Sequence, residues 1–123
     1  MPTVADYDIV SDTAITLSAD SRVKGDKNHD FPLETPGINV DVRAVLSLML
    51  SSSTAGIKFT MSIVNGKATT SLGELSNLDG DVRALQKVIS AGVLQTHGNT
   101  LRVEVTFGFG TFDDIVLWYQ TKV

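Results

Sequence analysis

The feature that most constrains this chain is an apolar–polar alternation that runs from residue 40 to residue 63. Alternate positions are apolar over 40–50, and the pattern resumes over 57–63 after the small-residue stretch 51–56. Successive side chains of a β-strand point to opposite faces, so a period of two indicates strands with one buried face. The sequence therefore predicts a strand over 40–50, a loop over 51–56 and a second strand over 57–63.

The rest of the chain carries the same kind of signal in shorter pieces. Asn65-Gly66 predicts a hairpin with a type I′ turn, because glycine and asparagine tolerate the positive φ that this turn needs. The triplet Gly108-Phe109-Gly110 predicts a second turn, and the charged segment 20–31 predicts a loop. Further strands are expected over 13–19, 67–72, 101–107 and 115–119.

One segment departs from the period of two. Val82, Leu85, Val88 and Ile89 are spaced as on one face of a helix, with Asp79-Gly80-Asp81 before them and Gly92 after them. An acidic N-cap and a C-terminal glycine are typical helix boundaries. The sequence thus predicts one short helix near residues 80–91.

Several short strands at hairpin spacing, one helix and no βαβ alternation predict an all-β fold, an antiparallel β-sandwich. The length of 123 residues fits a single domain spanning 1–123. The formal charge of −4 argues against nucleic acid as a partner, and the lack of cysteine excludes disulfides and thiolate chemistry. No apolar run approaches the roughly 20 residues that a membrane-spanning helix needs.

The N-terminal segment MPTVADYD lacks the basic start and apolar stretch of a signal peptide. On that basis we expect a cytoplasmic protein or one exported by a non-classical route.

The loop over 20–31 holds the first candidate site. Asp20, Asp26 and Asp30 are oxygen ligands of the type that Ca²⁺ prefers, and they predict a calcium site, although the order of an EF-hand is absent. The alternative is a solvated loop whose carboxylates form local turns.

The same loop also suits a polar ligand. Arg22, Asn28, His29 and Asp30 supply donors and acceptors that can pair with the hydroxyl groups of a sugar. Trp118 is the candidate aromatic platform for a pyranose ring, with burial in the core as the alternative. Its neighbour Tyr119 must face the opposite side of the strand.

No enzyme signature is present, so we expect no catalytic activity. The histidines His29 and His97 lack metal-site spacing, G-x-S-x-G is absent, and Asp113-Asp114 are strand neighbours that point apart. The phenylalanines Phe107, Phe109 and Phe112 either plug the end of the sandwich or form a small apolar patch.

Residues 44–119 resemble the galactose-binding-domain-like family of jelly-roll β-sandwiches, which includes many carbohydrate-binding modules. The resemblance rests on the hairpin SIVNGK, residues 62–67, and on GVLQTHGNTLRVEV, residues 92–105. The second motif keeps Leu94, Gly98, Asn99, Leu101, Val103 and Val105 in the family's positions. The resemblance implies a jelly roll with a ligand held by loops at one end, and in many relatives a structural calcium.

Together these observations favour a non-catalytic carbohydrate-binding module or small lectin that recognises glycans through its rim loops. A weak single site would gain from avidity, so a homo-oligomer is expected. The alternative is a structural or assembly module that binds protein partners or itself.

Overall fold

The computed structural model describes residues 3–77 and 82–122, which form strands joined by turns and loops. The strands are β1 (Thr3–Ser11), β2 (Ile15–Ser18), β3 (Asn28–Leu33), β4 (Ala44–Val64), β5 (Thr69–Asn77), β6 (Arg83–Ile89) and β7 (Asn99–Lys122). These ranges contain no helix, and therefore no helix that could span a bilayer. The predicted all-β antiparallel sandwich is confirmed.

Two long strands organise the fold. β4 and β7 pair with each other in antiparallel fashion; β1, β2 and β3 pair with the other edge of β7, and β5 and β6 pair with the other edge of β4. Pairing divides this curled sheet into two parts. The Trp118 half-sheet contains β1, β2, β6 and the segments 44–52 and 109–122, and the Arg102 half-sheet contains β3, β5 and the segments 57–64 and 99–107.

Glycines lie at the boundary where the two half-sheets meet, here called the crease. The pairing of β4 with β7 is interrupted between Ser52 and Ile57. Gly56 and Gly108 adopt φ values of 89° and 70°, which side-chain-bearing residues rarely adopt. A Cβ at Gly108 would overlap the carbonyl oxygen of Gly56. The predicted loop over 51–56 and turn at 108–110 are therefore wrong: both segments continue through the crease as strands.

The two half-sheets enclose one hydrophobic core. Phe59 of the Arg102 half-sheet packs edge-on against Phe112 of the Trp118 half-sheet, with ring centroids 5.1 Å apart. Most inward positions that the alternation predicts for β4 and β7 are confirmed, since Leu46, Leu48, Leu50, Phe59, Met61, Ile63, Leu101, Val103 and Val105 are all buried. The alternation over 101–107 also predicts an inward Phe107, which is wrong: the register shifts there and pairs Phe107 with the exposed Lys58, so its ring is 49% exposed. Leu94 and Asn99 of the second family motif are buried as well.

The predicted helix near residues 80–91 is wrong. Residues 83–89 form β6, which pairs with residues 44–50 of β4. Along β6, Leu85, Lys87 and Ile89 are more buried than their neighbours, so the alternation is that of a strand. Pairing with the open edge of β4 satisfies the backbone hydrogen bonds that a helix would otherwise provide. The proposed cap, Asp79-Gly80-Asp81, lies outside the described residues.

The predicted hairpin at Asn65-Gly66 is confirmed, but its turn type is not. Neither Asn65 nor Gly66 has a positive φ. The Asn65 side-chain oxygen instead accepts hydrogen bonds from the backbone N–H groups of Lys67 and Ala68, at 3.1 and 3.2 Å. An Asx-type turn thus connects β4 to β5.

Candidate functional site

The candidate site is a cleft beside the crease, here called the crease cleft. It is lined by two short segments, 19–22 from the loop after β2 and 106–109 from β7. Its volume of about 390 Å³ lies within the usual range for small-molecule sites, about 300–1,000 Å³. The lining residues are Ala19, Asp20, Ser21, Arg22, Thr106, Phe107, Gly108 and Phe109.

Local hydrogen bonds fix the loop side of the crease cleft. The Ala19 N–H donates to the Gly108 carbonyl at 2.8 Å, which ties the loop to β7. The buried Ser18 hydroxyl accepts from the Asp20 N–H at 3.0 Å and donates to the Asp20 carbonyl at 2.9 Å. The backbone of Asp20 is therefore held by the Ser18 side chain before any ligand arrives.

Asp20 and Arg22 form the charged wall of the crease cleft. Arg22 donates to the Asp20 carboxylate through Nε at 3.1 Å, through Nη2 at 3.0 Å and through its backbone N–H at 2.9 Å. The side-chain hydrogen bonds from Arg22, followed by the backbone one, lower the pKa of Asp20 below its ordinary value. The carboxylate stays an acceptor, and the guanidinium N–H groups that do not contact Asp20 are available to a ligand.

Phe107 supplies an apolar surface at the same place. Its ring is 49% exposed, and Lys58 Nζ lies 6.0 Å from the ring centroid. The sequence left open whether Phe107 plugs the end of the sandwich or belongs to an apolar patch, and it did not place this ring in one cleft with Arg22. The signal in the sequence that could have indicated this site is Gly108, whose carbonyl accepts the Ala19 N–H that ties the loop to β7.

The other predicted sugar-binding residues lie elsewhere. Asn28, His29 and Asp30 belong to β3, not to the predicted loop over 20–31, because they pair with residues 102–104 of β7. The Asp30 carboxylate accepts from Arg102 Nε at 2.9 Å and Nη2 at 3.2 Å. The His29 ring packs against Phe31 with centroids 4.5 Å apart.

The three predicted calcium ligands are not brought together. Asp20 is paired with Arg22 and Asp30 with Arg102, while Asp26 contributes its backbone to the sheet by accepting from the Ser18 N–H at 2.8 Å. Across residues 3–77 and 82–122 there is no group of three or more His, Cys, Asp or Glu side chains arranged to hold a metal.

Trp118 lies on the outer side of its half-sheet and Tyr119 on the inner side. Trp118 is 48% exposed and Tyr119 only 4%. Burial, and then the charges of Asp6 and Asp8, raise the pKa of Tyr119. Trp118 lines a shallow depression with Asp6 and Arg43 rather than the crease cleft. The structure thus separates Trp118 from Arg22, with which the sequence grouped it.

Sequence comparisons give no relative: no protein-family model matches the chain, and no curated protein matches it. Solved structures do share its fold. One is the CBM22-1–GH10 module pair of Clostridium thermocellum endo-1,4-β-D-xylanase 10B with xylohexaose, at 10% identity and a TM-score of 0.52, covering 94% of this chain and 26% of that one. This chain therefore spans about a quarter of that protein's length.

Two further structures extend the comparison. Eiger TNF from S. frugiperda matches at 10% identity and a TM-score of 0.53, with 100% of this chain and 94% of that chain covered. The CBM22-1 xylan-binding domain of Paenibacillus barcinonensis Xyn10C matches at 10% identity and a TM-score of 0.47, covering 98% and 86%. The two matches with TM-scores above 0.5 show that the chain shares their fold, a jelly-roll β-sandwich, as the sequence resemblance predicts.

Proposed function

We propose that this chain is a non-catalytic carbohydrate-binding module or small lectin that holds a sugar unit in the crease cleft. The observation that carries the proposal is the position of Phe107, whose half-exposed ring lies in the same cleft as the Asp20–Arg22 ion pair. A carboxylate, a guanidinium and an aromatic ring together match the two kinds of surface that a sugar presents.

Each group has a distinct role in this proposal. The Asp20 carboxylate accepts hydrogen bonds from sugar hydroxyl groups, and the free guanidinium N–H groups of Arg22 donate to hydroxyl or ring oxygens. Phe107 packs against the apolar C–H face of the ring. Because the ion pair already fixes Asp20 and Arg22, little conformational entropy is lost when a ligand binds.

The comparisons support the fold on which the proposal rests. One protein of the same fold was crystallised with xylohexaose, whereas another is a TNF. A shared fold does not specify a ligand, so the proposed ligand class rests on the chemistry of the crease cleft.

The test is a glycan-array screen of the purified protein with calcium and again with EDTA. We expect binding to a defined glycan class in both conditions. Arg22→Ala and Phe107→Ala should each weaken that binding about tenfold, as expected for a charge-assisted hydrogen bond or an aromatic contact. Lys24→Ala is the matched control, since it removes a cation from the same loop outside the crease cleft.

The outcomes separate the alternatives. If both variants bind glycans as tightly as the wild type does, the sugar site is not in the crease cleft. The next residues to test would then be Asn28, His29, Asp30 and Trp118. Absence of binding on the whole array would reject the lectin and favour the second candidate function, a structural or assembly module. That candidate is favoured by a different surface, the outer face of the Trp118 half-sheet.

A further inference from the structure

The outer face of the Trp118 half-sheet carries a continuous apolar surface. Tyr7, Trp118, Val45 and Val88 occupy directly paired positions on β1, β7, β4 and β6. Paired residues of an antiparallel sheet project from the same face, so these four side chains form one row. The Tyr7 and Trp118 rings are in contact, with centroids 5.4 Å apart.

A second row lies beside the first. Ile9 pairs with Val116, Val116 with Ser47 of β4, and Ser47 with Gln86 of β6, so this row is apolar on β1 and β7 and polar but uncharged on β4 and β6. Tyr7, Ile9, Val88 and Trp118 are between 48% and 57% exposed, and they are four of the six large apolar side chains that are well exposed in the described ranges. We call these two rows the apolar face. Such a concentration of exposed apolar groups marks an interaction surface.

The contacts of Trp118 indicate an apolar partner for this face. The indole Nε1–H donates to the Ser47 hydroxyl at 3.2 Å within the same chain. Nε1 is the sole hydrogen-bonding group of an indole, so the ring can be covered by a dry surface with no polar group left unpaired. A sugar hydroxyl would find no free donor on this ring.

Opposite charges flank the apolar face along the strand direction. Arg43 lies beyond the Trp118 row, where it lines a depression with Asp6, Val45 and Trp118 but forms no ion pair with Asp6. Asp113 lies at the other end, paired with Met49 of β4, and Asp114 follows it. No ion pair involves Arg43 within residues 3–77 and 82–122. A surface with a cation at one end and carboxylates at the other is complementary to itself when one copy is reversed.

We propose that the apolar face is the interface of a two-fold symmetric dimer of this chain. The axis lies in the interface and crosses the strands between the two rows. It sets the Trp118 row of one protomer against the Ile9–Val116 row of the other, and Arg43 against Asp113 of the partner subunit. The interface is isologous, so each charge contact occurs twice.

This dimer is independent of sugar binding. None of the residues that line the crease cleft belongs to the apolar face, so both sites of a dimer stay open. A two-site lectin would gain avidity on a multivalent surface.

The test is a charge exchange followed by analytical ultracentrifugation. We expect the wild type to dimerise reversibly, and Arg43→Asp or Asp113→Arg alone to raise the dissociation constant about tenfold or more. The double variant Arg43→Asp/Asp113→Arg should recover most of the wild-type affinity, because it restores the pairing with reversed signs. Lys58→Glu on the Arg102 half-sheet is the control and should have no effect.

A second measurement needs no substitution. Trp118 is the only tryptophan of the chain, so its fluorescence reports on the apolar face alone. Acrylamide quenching should decrease as the protein concentration rises through the dissociation constant. A wild type that stays monomeric at about 200 µM, quenching independent of concentration, or a double variant as weak as the single ones would overturn the proposal.

Discussion

The two half-sheets have equivalent inner faces and very different outer faces. On the outside of the Arg102 half-sheet, Asp30 and Arg102 form a two-bonded ion pair, and the next row places Glu104 opposite Thr60. On the outside of the Trp118 half-sheet, the corresponding surface is the apolar face around Tyr7 and Trp118. The same strands, β4 and β7, contribute to both outer faces.

The polar outer face needs no partner, whereas the apolar face leaves large apolar side chains exposed in the single chain. On the polar outer face, Asp30 and Arg102 are paired with each other and are about half exposed to water. The rings of the apolar face are exposed to water at a free-energy cost that burial against a partner would remove. The two faces can therefore be tested separately, while the shared core serves as the reference.

The largest effects should come from the core where the two half-sheets meet. Phe59→Ala and Phe112→Ala each remove a fully buried ring, and each should lower the free energy of unfolding by about 3–5 kcal/mol. Trp118→Ala should change the stability of the monomer much less, because that ring is half exposed. Urea unfolding at a concentration below dimerisation measures all three. Equal losses for Trp118→Ala and Phe59→Ala would contradict the contrast between inner and outer faces.

The crease should be next in sensitivity. Gly108→Ala imposes a positive φ on alanine and overlaps the Gly56 carbonyl, which together should cost about 2–4 kcal/mol. Gly92→Ala is the matched control: Gly92 also has a positive φ, of 83°, but a Cβ there meets nothing within 4 Å. It should cost only about 1–2 kcal/mol. Thermal unfolding followed by circular dichroism compares the two, and equal losses would show that the close approach at the crease is unimportant.

The polar outer face should give a smaller effect that depends on pH. The side-chain hydrogen bonds from Arg102 lower the pKa of Asp30 in the folded chain. A lowered pKa contributes stability above the unfolded value, about 3.9, and this contribution is lost as the pH falls through the folded value. Asp30→Asn should therefore be slightly less stable than the wild type at neutral pH and equally stable in acid.

Urea titrations of both proteins at neutral and acidic pH measure this difference. Asp26→Asn is the control, because Asp26 joins the sheet through its backbone carbonyl. A deficit of Asp30→Asn that persists unchanged in acid would show that the ion pair is not its cause.

The smallest expected effect is that of calcium. Since Asp20, Asp26 and Asp30 are not assembled into one site, neither calcium nor EDTA should shift the Tm. Differential scanning fluorimetry with each addition measures this. A calcium-dependent rise in Tm of several degrees would mean that the metal binds the folded chain after all.

The sequence predicted the architecture well where one face of a strand is buried and the other is polar. Leu101, Val103 and Val105 are an example, and all three are in the core. The prediction failed for β6 because Val88 belongs to the apolar face while Ile89 belongs to the core. With apolar residues on both sides, the period of two disappears and the spacing imitates a helix. The outward-facing apolar residue of β6 thus contributes to the apolar face and also explains the wrong helix prediction.

The candidate site was predicted only residue by residue. Arg22 was recognised by its chemistry, but its position in one cleft with Phe107 depends on how the loop after β2 lies against β7 at the crease. In the sequence, a glycine such as Gly108 is as consistent with a turn as with a continuing strand. Only the pairing of β7 across both half-sheets shows that the strand continues. Distances between segments 85 residues apart in the chain, as Arg22 and Phe107 are, follow from topology and not from local pattern.

The central position of β7 has a consequence for how the chain is made. β1, β2 and β3 all hydrogen-bond to β7, which is synthesised after them. Until residues 99–122 leave the ribosome, these strands lack their native neighbour, and contacts this distant in sequence form slowly. The newly made chain thus passes through a period in which unpaired strand edges are open to aggregation. In the nascent chain, protection of β1, β2 and β3 against proteolysis should accordingly arise late, once β7 has been made.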